Sequence, residues 1–563
     1  MAGARDTGQG TKKTAGDTEE LWVAWRVGGK SKCRLPLDAG NRRERSCVPV
    51  GEQGMPSLNS EHSLGQTDSR SPVDTWVLVG IAGSIALLHM LTNNRYGFHR
   101  DELQFLSDAH HLDWGFVPYP PFTAFVERIG LSLFGVSLVG LRLFSVIAQA
   151  AAVVVTGLMA RELGGGRLAQ VTAALAVALS TLPLFEGTEF QYTTFDYLWW
   201  VLIAYFVIRL LKTENPRWWL AIGAVMGIGF QTKYTMAFYV SGIMGGVLLT
   251  RARRYLASGW FWGGMVLALV IFLPNLVWQV RHDFISLHFL QHIHKRDVGQ
   301  GRAQGFWRDQ FWICTNLFSA PLWIAGLVGY LWDRRYRLLA WMHLVPLALF
   351  VAAKGRGYYL AAAYPMLLAM GAVMGERWVE SLSIVWRRTA EAVFFTGLAA
   401  CGLLVGAIIV PVASSGPLMK FALENNGDLR EEIGWDELVK TVASIRDSLP
   451  PEQRENLGIA VRNYGEQGAI EILGQAYHLP LPISGVNSSW LRGYPTPLPS
   501  TIIVMGQSRH EADRLFTDCR LAGHNGNSLG VKNEESEDHP DIFVCGAPRL
   551  PWPEFWKEYQ GFG

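Results

Sequence analysis

Four ionisable residues in a row, His99, Arg100, Asp101 and Glu102, stand in the stretch "NRYGFHRDELQFLSDAHHLDWGFVPYPPF", Asn94 to Phe122. The chemistry open to such a group is proton transfer. A carboxylate within reach of a substrate hydroxyl takes its proton as general base, and nearby cations stabilise an anion as it leaves. Asp101 is the candidate base. Glu102 follows it directly and on a helix points about 100° away, so it is expected to orient the site or to pair with Arg100. Taken alone, an ordinary helix cap or salt bridge explains the Asp–Glu pair better. The case therefore rests on what else reaches the same place.

The elements that must position these residues are membrane helices. The 563 residues are 49% hydrophobic and 17% charged, which suits a polytopic membrane protein. Apolar segments of spanning length are read near 75–92, 136–160, 168–185, 195–211, 218–232, 234–250, 259–280, 311–332, 338–353, 358–375 and 391–411, about eleven helices. The 22 Trp fit aromatic belts at the two interfaces. Residues 1–72 are polar, rich in Gly and Ser and without periodicity, and are expected to be disordered. A membrane domain is expected over 73–412, with a first external loop at 94–135, followed by a soluble domain at 413–563. In that tail "NLGIAVRNYG", "TIIVMG" and "DIFVCGAP" read as buried strands, and "EQGAIEILGQAYH" and "HEADRLFTDC" as amphipathic helices, which together make a small α/β domain.

Orientation follows from Lys and Arg. Arg161 and Arg167, then Arg209, Lys212 and Arg217, then Arg251, Arg253 and Arg254, then Arg334, Arg335 and Arg337, then Arg377, Arg387 and Arg388 occupy alternate loops, which marks one side as cytoplasmic. The first loop, the tail after Pro411 and the remaining loops then face outward. The rule gathers Asp101, Glu102, Asp196, Lys233, Lys354 and Arg356 at outer helix ends, with Arg142 about two turns inside from the same face. Ionisable groups at membrane depth are costly and suggest a site.

Glycosyl transfer from a lipid-phosphate sugar needs a carboxylate base, cations for the departing phosphate, and a site at the membrane surface where the donor's tail lies. One face of this chain supplies all three. Asp196, in "QYTTFDYLWW", begins a helix and either caps it or supports the site. Lys233 in "FQTKYT", Lys354 and Arg356 in "KGRGYYL", and Arg142 in "LVGLRLFSV" are candidates to hold the phosphate. For the lysines, interfacial snorkelling is the simpler account. Tyr358 and Tyr359 bond to phosphate or belong to the aromatic belt. His282, His288, His292 and His294 include i, i+2 and i, i+4 pairs, but no carboxylate ligand pattern accompanies them, so no metal or other cofactor is expected. Cys314 and Cys401 lie in apolar runs; Cys519 and Cys545 pair if the tail faces an oxidising compartment. The competing readings are a transporter or flippase for lipid-linked sugars, whose charges should line a path near the midplane, and a binding scaffold. Charges gathered at one face favour the enzyme.

"RDELQFLSDAHHLDWGFVPYPPFTAFVERIG" resembles the first external loop of the GT-C membrane glycosyltransferases. The branch it resembles holds the bacterial relatives of protein O-mannosyltransferases and of the aminoarabinose transferase that modifies lipid A. "TTFDYLWW", "TKYT" and "GRGYYLAAAYP" look like family motifs in the right order, and "NYGEQGAIEILG", "LPISGVNSSWLRGY" and "GVKNEE" match the soluble end of many bacterial members, so that the likeness covers roughly residues 75–563. The resemblance implies an inverting transferase that moves a hexosyl or pentosyl group from a polyprenyl-phosphate sugar to a lipid, polysaccharide or protein. Asp101 would be its base and Asp196 a supporting acid. It implies a bacterial inner membrane, with active site and tail extracytoplasmic, membrane lipids as partners and no nucleic acid. "KGRGYYL" stands where some relatives arrange His or Lys differently, which leaves open the group that holds the phosphate.

Overall fold

The apolar run that precedes the ionisable stretch forms a helix, α1 (Pro72–Thr92). The structure, a computed structural model, describes residues 72–563. The segment expected to be disordered lies outside the described residues except for Pro72, which opens α1. The first loop carries two helices, α2 (Arg100–His110) and α3 (Phe122–Phe134). The membrane domain continues through α4 (Leu138–Glu162), α5 (Arg167–Ala178), α6 (Thr181–Glu186), α7 (Tyr192–Thr213), α8 (Trp218–Phe230), α9 (Met236–Leu249) and α10 (Gly259–Arg281). It closes with α11 (Ile285–Gly299), α12 (Phe306–Trp312), α13 (Ala320–Trp332), α14 (Arg337–Ala352), α15 (Tyr364–Glu380) and α16 (Ile384–Ile409).

Among the described residues, 6 helices are long and apolar enough to cross a membrane, or up to 7 if the pair α12 and α13, bent by 92°, counts as one span. The helices α5, α8, α9 and α14 are apolar but shorter. The chain is an integral membrane protein of mostly helical build. Two segments expected as single spans are broken. The stretch 168–185 divides into α5 and α6 because Pro183 has no N–H to donate to the Leu179 carbonyl. Asn316 Nδ2 donates to that carbonyl instead, at 2.9 Å. The stretch 311–332 breaks where the Asn316 side chain accepts from Phe318 N, just before Pro321 opens α13.

Close helix packing depends on absent side chains. A Cβ on Gly264 would run into the Trp219 carbonyl, and one on Gly371 into that of Leu322. The pairs α8–α10 and α13–α15 therefore touch backbone to backbone. Trp200 and Tyr239, both fully buried, stack at 4.1 Å between α7 and α9.

The tail adds α17 (Gly416–Asn425), α18 (Trp435–Ser448) and α19 (Pro451–Glu455), then a sheet with helices between its strands. The strands are β1 (Leu457–Val461), β2 (Pro482–Ser484), β3 (Thr501–Val504), β4 (Arg520–His524) and β5 (Asp541–Cys545), in the order β2-β1-β3-β5-β4. β1 runs parallel to β2 and β3; β5 runs antiparallel to β3 and β4. The helices are α20 (Tyr464–Ile472), α21 (Arg509–Leu515), α22 (Glu534–Glu537) and α23 (Trp552–Glu558). Cys519 and Cys545 are joined by a disulfide, whereas Cys314 and Cys401 are free and buried. One feature departs from a free-standing tail: Leu103 and Leu106 of α2 belong to the same hydrophobic cluster as Trp435, Leu438, Ile470 and Ile503. The first loop is thus part of the tail domain's core.

Candidate active site

The two adjacent carboxylates have separate environments. α2 begins with a capping box: the His99 ring accepts from Asp101 N, and Glu102 Oε2 accepts from His99 N at 2.8 Å. Glu102 has no exposure and is saturated. Its Oε1 accepts from Arg142 Nε and from Phe190 N, each at 2.8 Å, and its Oε2 accepts from Arg142 Nη2 at 2.8 Å. Arg142 is equally committed, with Nη1 on the Asn93 carbonyl, and Nη2 also on the Gly97 carbonyl and on Glu432 Oε1 at 3.1 Å. Glu102 and Arg142 therefore clamp α1, α2, α4 and the 187–191 loop together. The expected Arg100–Glu102 pairing does not form. Arg100 turns to Glu534 and Glu535 of α22, because Glu102 is already bound to the deeper guanidinium.

Asp101 is only half-buried and faces a cavity of about 720 Å³. Its Oδ2 accepts from Gln191 Nε2 at 2.8 Å. Burial alone would raise its carboxyl, but the His99 charge, the Gln191 hydrogen bond, Arg100 and the Tyr464 hydroxyl outweigh this and hold it below its ordinary value. Close by, Glu189 is buried 3.7 Å from His99. Burial first, then the charges of Asp428, Glu432 and Glu102, push its carboxyl well above the ordinary range. Around His99 the fold favours the ionised form of one carboxyl and the protonated form of another.

The cavity lies between the membrane domain and the tail. His99, Arg100 and Asp101 line one wall, Arg462 and Tyr464 come from the sheet domain, and Arg296 and Arg302 come from α11 and the turn after it. Toward the membrane a second group of charges follows. Lys233, in the turn between α8 and α9, places Nζ 5.1 Å from the Tyr192 ring centroid and 4.8 Å from that of Tyr359. The two faces hold the ammonium by cation–π attraction. Tyr358 and Tyr359 pack edge to face at 4.7 Å. Arg356 makes a bidentate pair with Asp297, Nε to Oδ2 at 2.6 Å and Nη2 to Oδ1 at 2.7 Å, and its Nη1 donates to Tyr358 at 3.5 Å. Tyr192 sits between the two groups, in electrostatic range of both Asp101 and Arg356.

Asp196 is not the cap of its helix. Gln191 holds that position, and Asp196 lies in the second turn of α7 with Oδ1 accepting from Trp200 Nε1 and Oδ2 from Thr235 Oγ1. It faces Lys233 electrostatically. Lys354 is exposed at a positive φ of 49° and lines a separate groove with Phe306, Trp307 and Phe350. The structure thus brings Asp101, Asp196, Lys233, Arg356, Tyr358 and Tyr359 together around Tyr192, and leaves Lys354 apart and Arg142 and Glu102 beneath. Of the histidine set, His282 stacks on Trp278 at 4.0 Å. No group of three His, Cys, Asp or Glu among the described residues is placed to hold a metal ion.

Sequence reasoning missed Gln191, Tyr192, Asp297 and Tyr464. The first two stand in the same "QYTTFDYLWW" that revealed Asp196. Asp297 is the acid nearest in sequence to Arg302, and Tyr464 is the second residue of "NYGEQG". Nothing in a linear pattern ties either to a partner far along the chain.

Residues 118–278 match the family of dolichyl-phosphate-mannose-protein mannosyltransferases. A lipid A galacturonosyltransferase, RgtD, of Rhizobium johnstonii is 28% identical over 262 residues, 45% of this chain and 54% of the relative. An undecaprenyl phosphate-α-4-amino-4-deoxy-L-arabinose arabinosyl transferase of Pseudomonas fluorescens is 28% identical over 274 residues, 44% of this chain and 48% of the relative. The chain spans about half the length of these curated relatives. Among solved structures, ArnT from Cupriavidus metallidurans in the apo state superposes with a TM-score of 0.51 at 15% identity, covering 84% of this chain and 98% of that one. The same protein bound to undecaprenyl phosphate gives 0.50. The GT-C resemblance of the motifs is borne out: the membrane domain and the tail together share the fold of that transferase.

Proposed function

We propose that this GT-C-fold membrane protein is an inverting glycosyltransferase that takes a sugar from a polyprenyl-phosphate donor, with Asp101 as its base. The observation that carries the reading is one half-buried carboxylate with accepting capacity left, held below its ordinary value, on a cavity between the helical domain and the tail, with Lys233 against Tyr192 and Tyr192 in electrostatic range of both Asp101 and Arg356. Asp101 accepts the proton of the acceptor hydroxyl. The acceptor oxygen forms a bond to the anomeric carbon as the bond from that carbon to the phosphate oxygen breaks on the opposite face. The electron pair leaves on polyprenyl phosphate, which Lys233, Arg356 and the Tyr358 and Tyr359 hydroxyls stabilise. Asp196 beside Lys233 favours its charged form. Arg356 is better suited than Lys354, which lines another groove.

The acceptor we propose is a membrane lipid, as the similarity to a lipid A galacturonosyltransferase suggests, in a bacterial inner membrane. The site and the tail face outward, which the sorting of Lys and Arg and the Cys519–Cys545 disulfide support. Incubating the purified protein with radiolabelled polyprenyl-phosphate sugars and a membrane-lipid extract tests this. Release of polyprenyl phosphate with label entering the lipid is expected. Donor binding without release would turn the reading toward transport.

A further inference from the structure

The helix α20 lies along α2 because two glycines clear the space between them. A Cβ on Gly465 would press on Trp435 and on the Arg100 Cβ, and one on Gly468 would run into the Leu103 carbonyl. Polar bonds fix the far end of the pair: Ser107 Oγ donates to Glu471 Oε2 at 2.6 Å, and Gln467 Nε2 donates to Ser107 Oγ at 2.9 Å. Arg492 donates to Asp108 at 2.5 Å beside them. With that register set, Tyr464, the first residue of α20, comes to the Asp101 end of α2. Its ring lies 4.8 Å from the Arg100 guanidinium, and it shares the cavity wall with Asp101. Its hydroxyl faces the Asp101 carboxylate and favours the ionised form. Asp101 thus takes a hydrogen bond from the membrane domain, through Gln191, and meets the tail at Tyr464 on the cavity wall. A carboxylate accepts about four hydrogen bonds, so room is left for a substrate hydroxyl.

We infer that Tyr464 is a positioning residue that orients the Asp101 carboxylate, so that the base is complete only while the C-terminal domain is docked on α2. The inference rests on the reading of Asp101 as the base. The other titratable groups that face Asp101 are His99 before it, Arg100 on its own helix and Tyr192 on α7. A hydrogen bond to the charged form favours that form, so losing it raises the carboxyl's affinity for protons.

The test is Tyr464→Phe in the full chain, which keeps the ring beneath Arg100. Carbodiimide with a small amine labels protonated carboxyls, and mass spectrometry reads the label at Asp101 against pH without any turnover. The midpoint should move upward by on the order of half a pH unit. The acid limb of polyprenyl phosphate release should move the same way, with donor KM unchanged. Superimposable labelling curves for wild type and variant overturn the inference. A shifted labelling curve in a protein that releases nothing from any donor sustains the Tyr464–Asp101 contact and sinks the glycosyltransferase reading. Should Tyr464→Phe melt early, Tyr464→Met, also without a hydroxyl, must give the same shift.

Discussion

Asp101 and Glu102 are neighbours in sequence and opposites in role. Four hydrogen bonds and a buried guanidinium use up Glu102, whereas Asp101 keeps accepting capacity toward a cavity. Glu102→Gln should therefore act on stability. It leaves Arg142 with less compensation in a buried site, which typically costs about 3–5 kcal/mol, read as a lowered Tm in detergent. A Glu102→Gln protein that melts normally but has lost turnover would make Glu102 the chemical group after all. The depressed value of Asp101 has a pH consequence. Its ionised form is favoured by the fold, so its contribution to stability is present above the ordinary carboxylate value of 3.8 and is lost as pH falls through the lower folded value. Turnover should accordingly stay level from neutral pH down to at least that ordinary value, as far as the fold survives. An acid limb centred near pH 6 would contradict this. At this scale the sequence announced the acid pair but not which member was spent, because the saturating donors include Arg142 and Phe190, far along the chain.

Elements were legible where local composition decides them and hidden where a partner does. β1, β3 and β5 are buried apolar runs and could be read directly; β4, "RLAGH", is a largely exposed edge strand and β2 has three residues, so neither left a pattern. The long spans were visible by hydropathy. The breaks after α5 and α12 were not, since Pro183 and Asn316 act through contacts with one another's segments. At this scale Arg356 is positioned by α11: Asp297 takes its fork in a planar, bidentate pair. Arg356→Lys keeps the charge and loses that geometry. With charge-assisted bonds worth about 1.5–3 kcal/mol, donor affinity should weaken by roughly ten- to a hundred-fold, measured by competition with labelled donor. An unchanged affinity would remove Arg356 from the phosphate site.

For the whole molecule, the arrangement is a membrane domain and a sheet domain that share α2. The convergence of distant charges on one face could be read from alternating Lys and Arg loops. That the first loop would enter the tail's core could not, because Leu103 and Leu106 look like any amphipathic helix until Trp435 and Ile470 are seen against them. The Cys519–Cys545 bridge closes a separation of 26 residues across two sheet elements. A loop of that size contributes about 3 kcal/mol in the chain-entropy account, so a reductant should lower the melting temperature of the folded protein. No change in melting would mean the bridge adds nothing to this domain.

In the proposed reaction one carboxylate, Asp101, at the junction of the two domains does the chemistry. The most direct measurement compares polyprenyl phosphate release from radiolabelled donors by the wild-type protein and by Asp101→Asn, both in detergent with a lipid acceptor extract. Asparagine keeps the shape and can still meet Tyr464 and Gln191, but it cannot take a proton. The variant should fold, bind donor and release polyprenyl phosphate at least about 10²-fold more slowly. Release at the wild-type rate would contradict it.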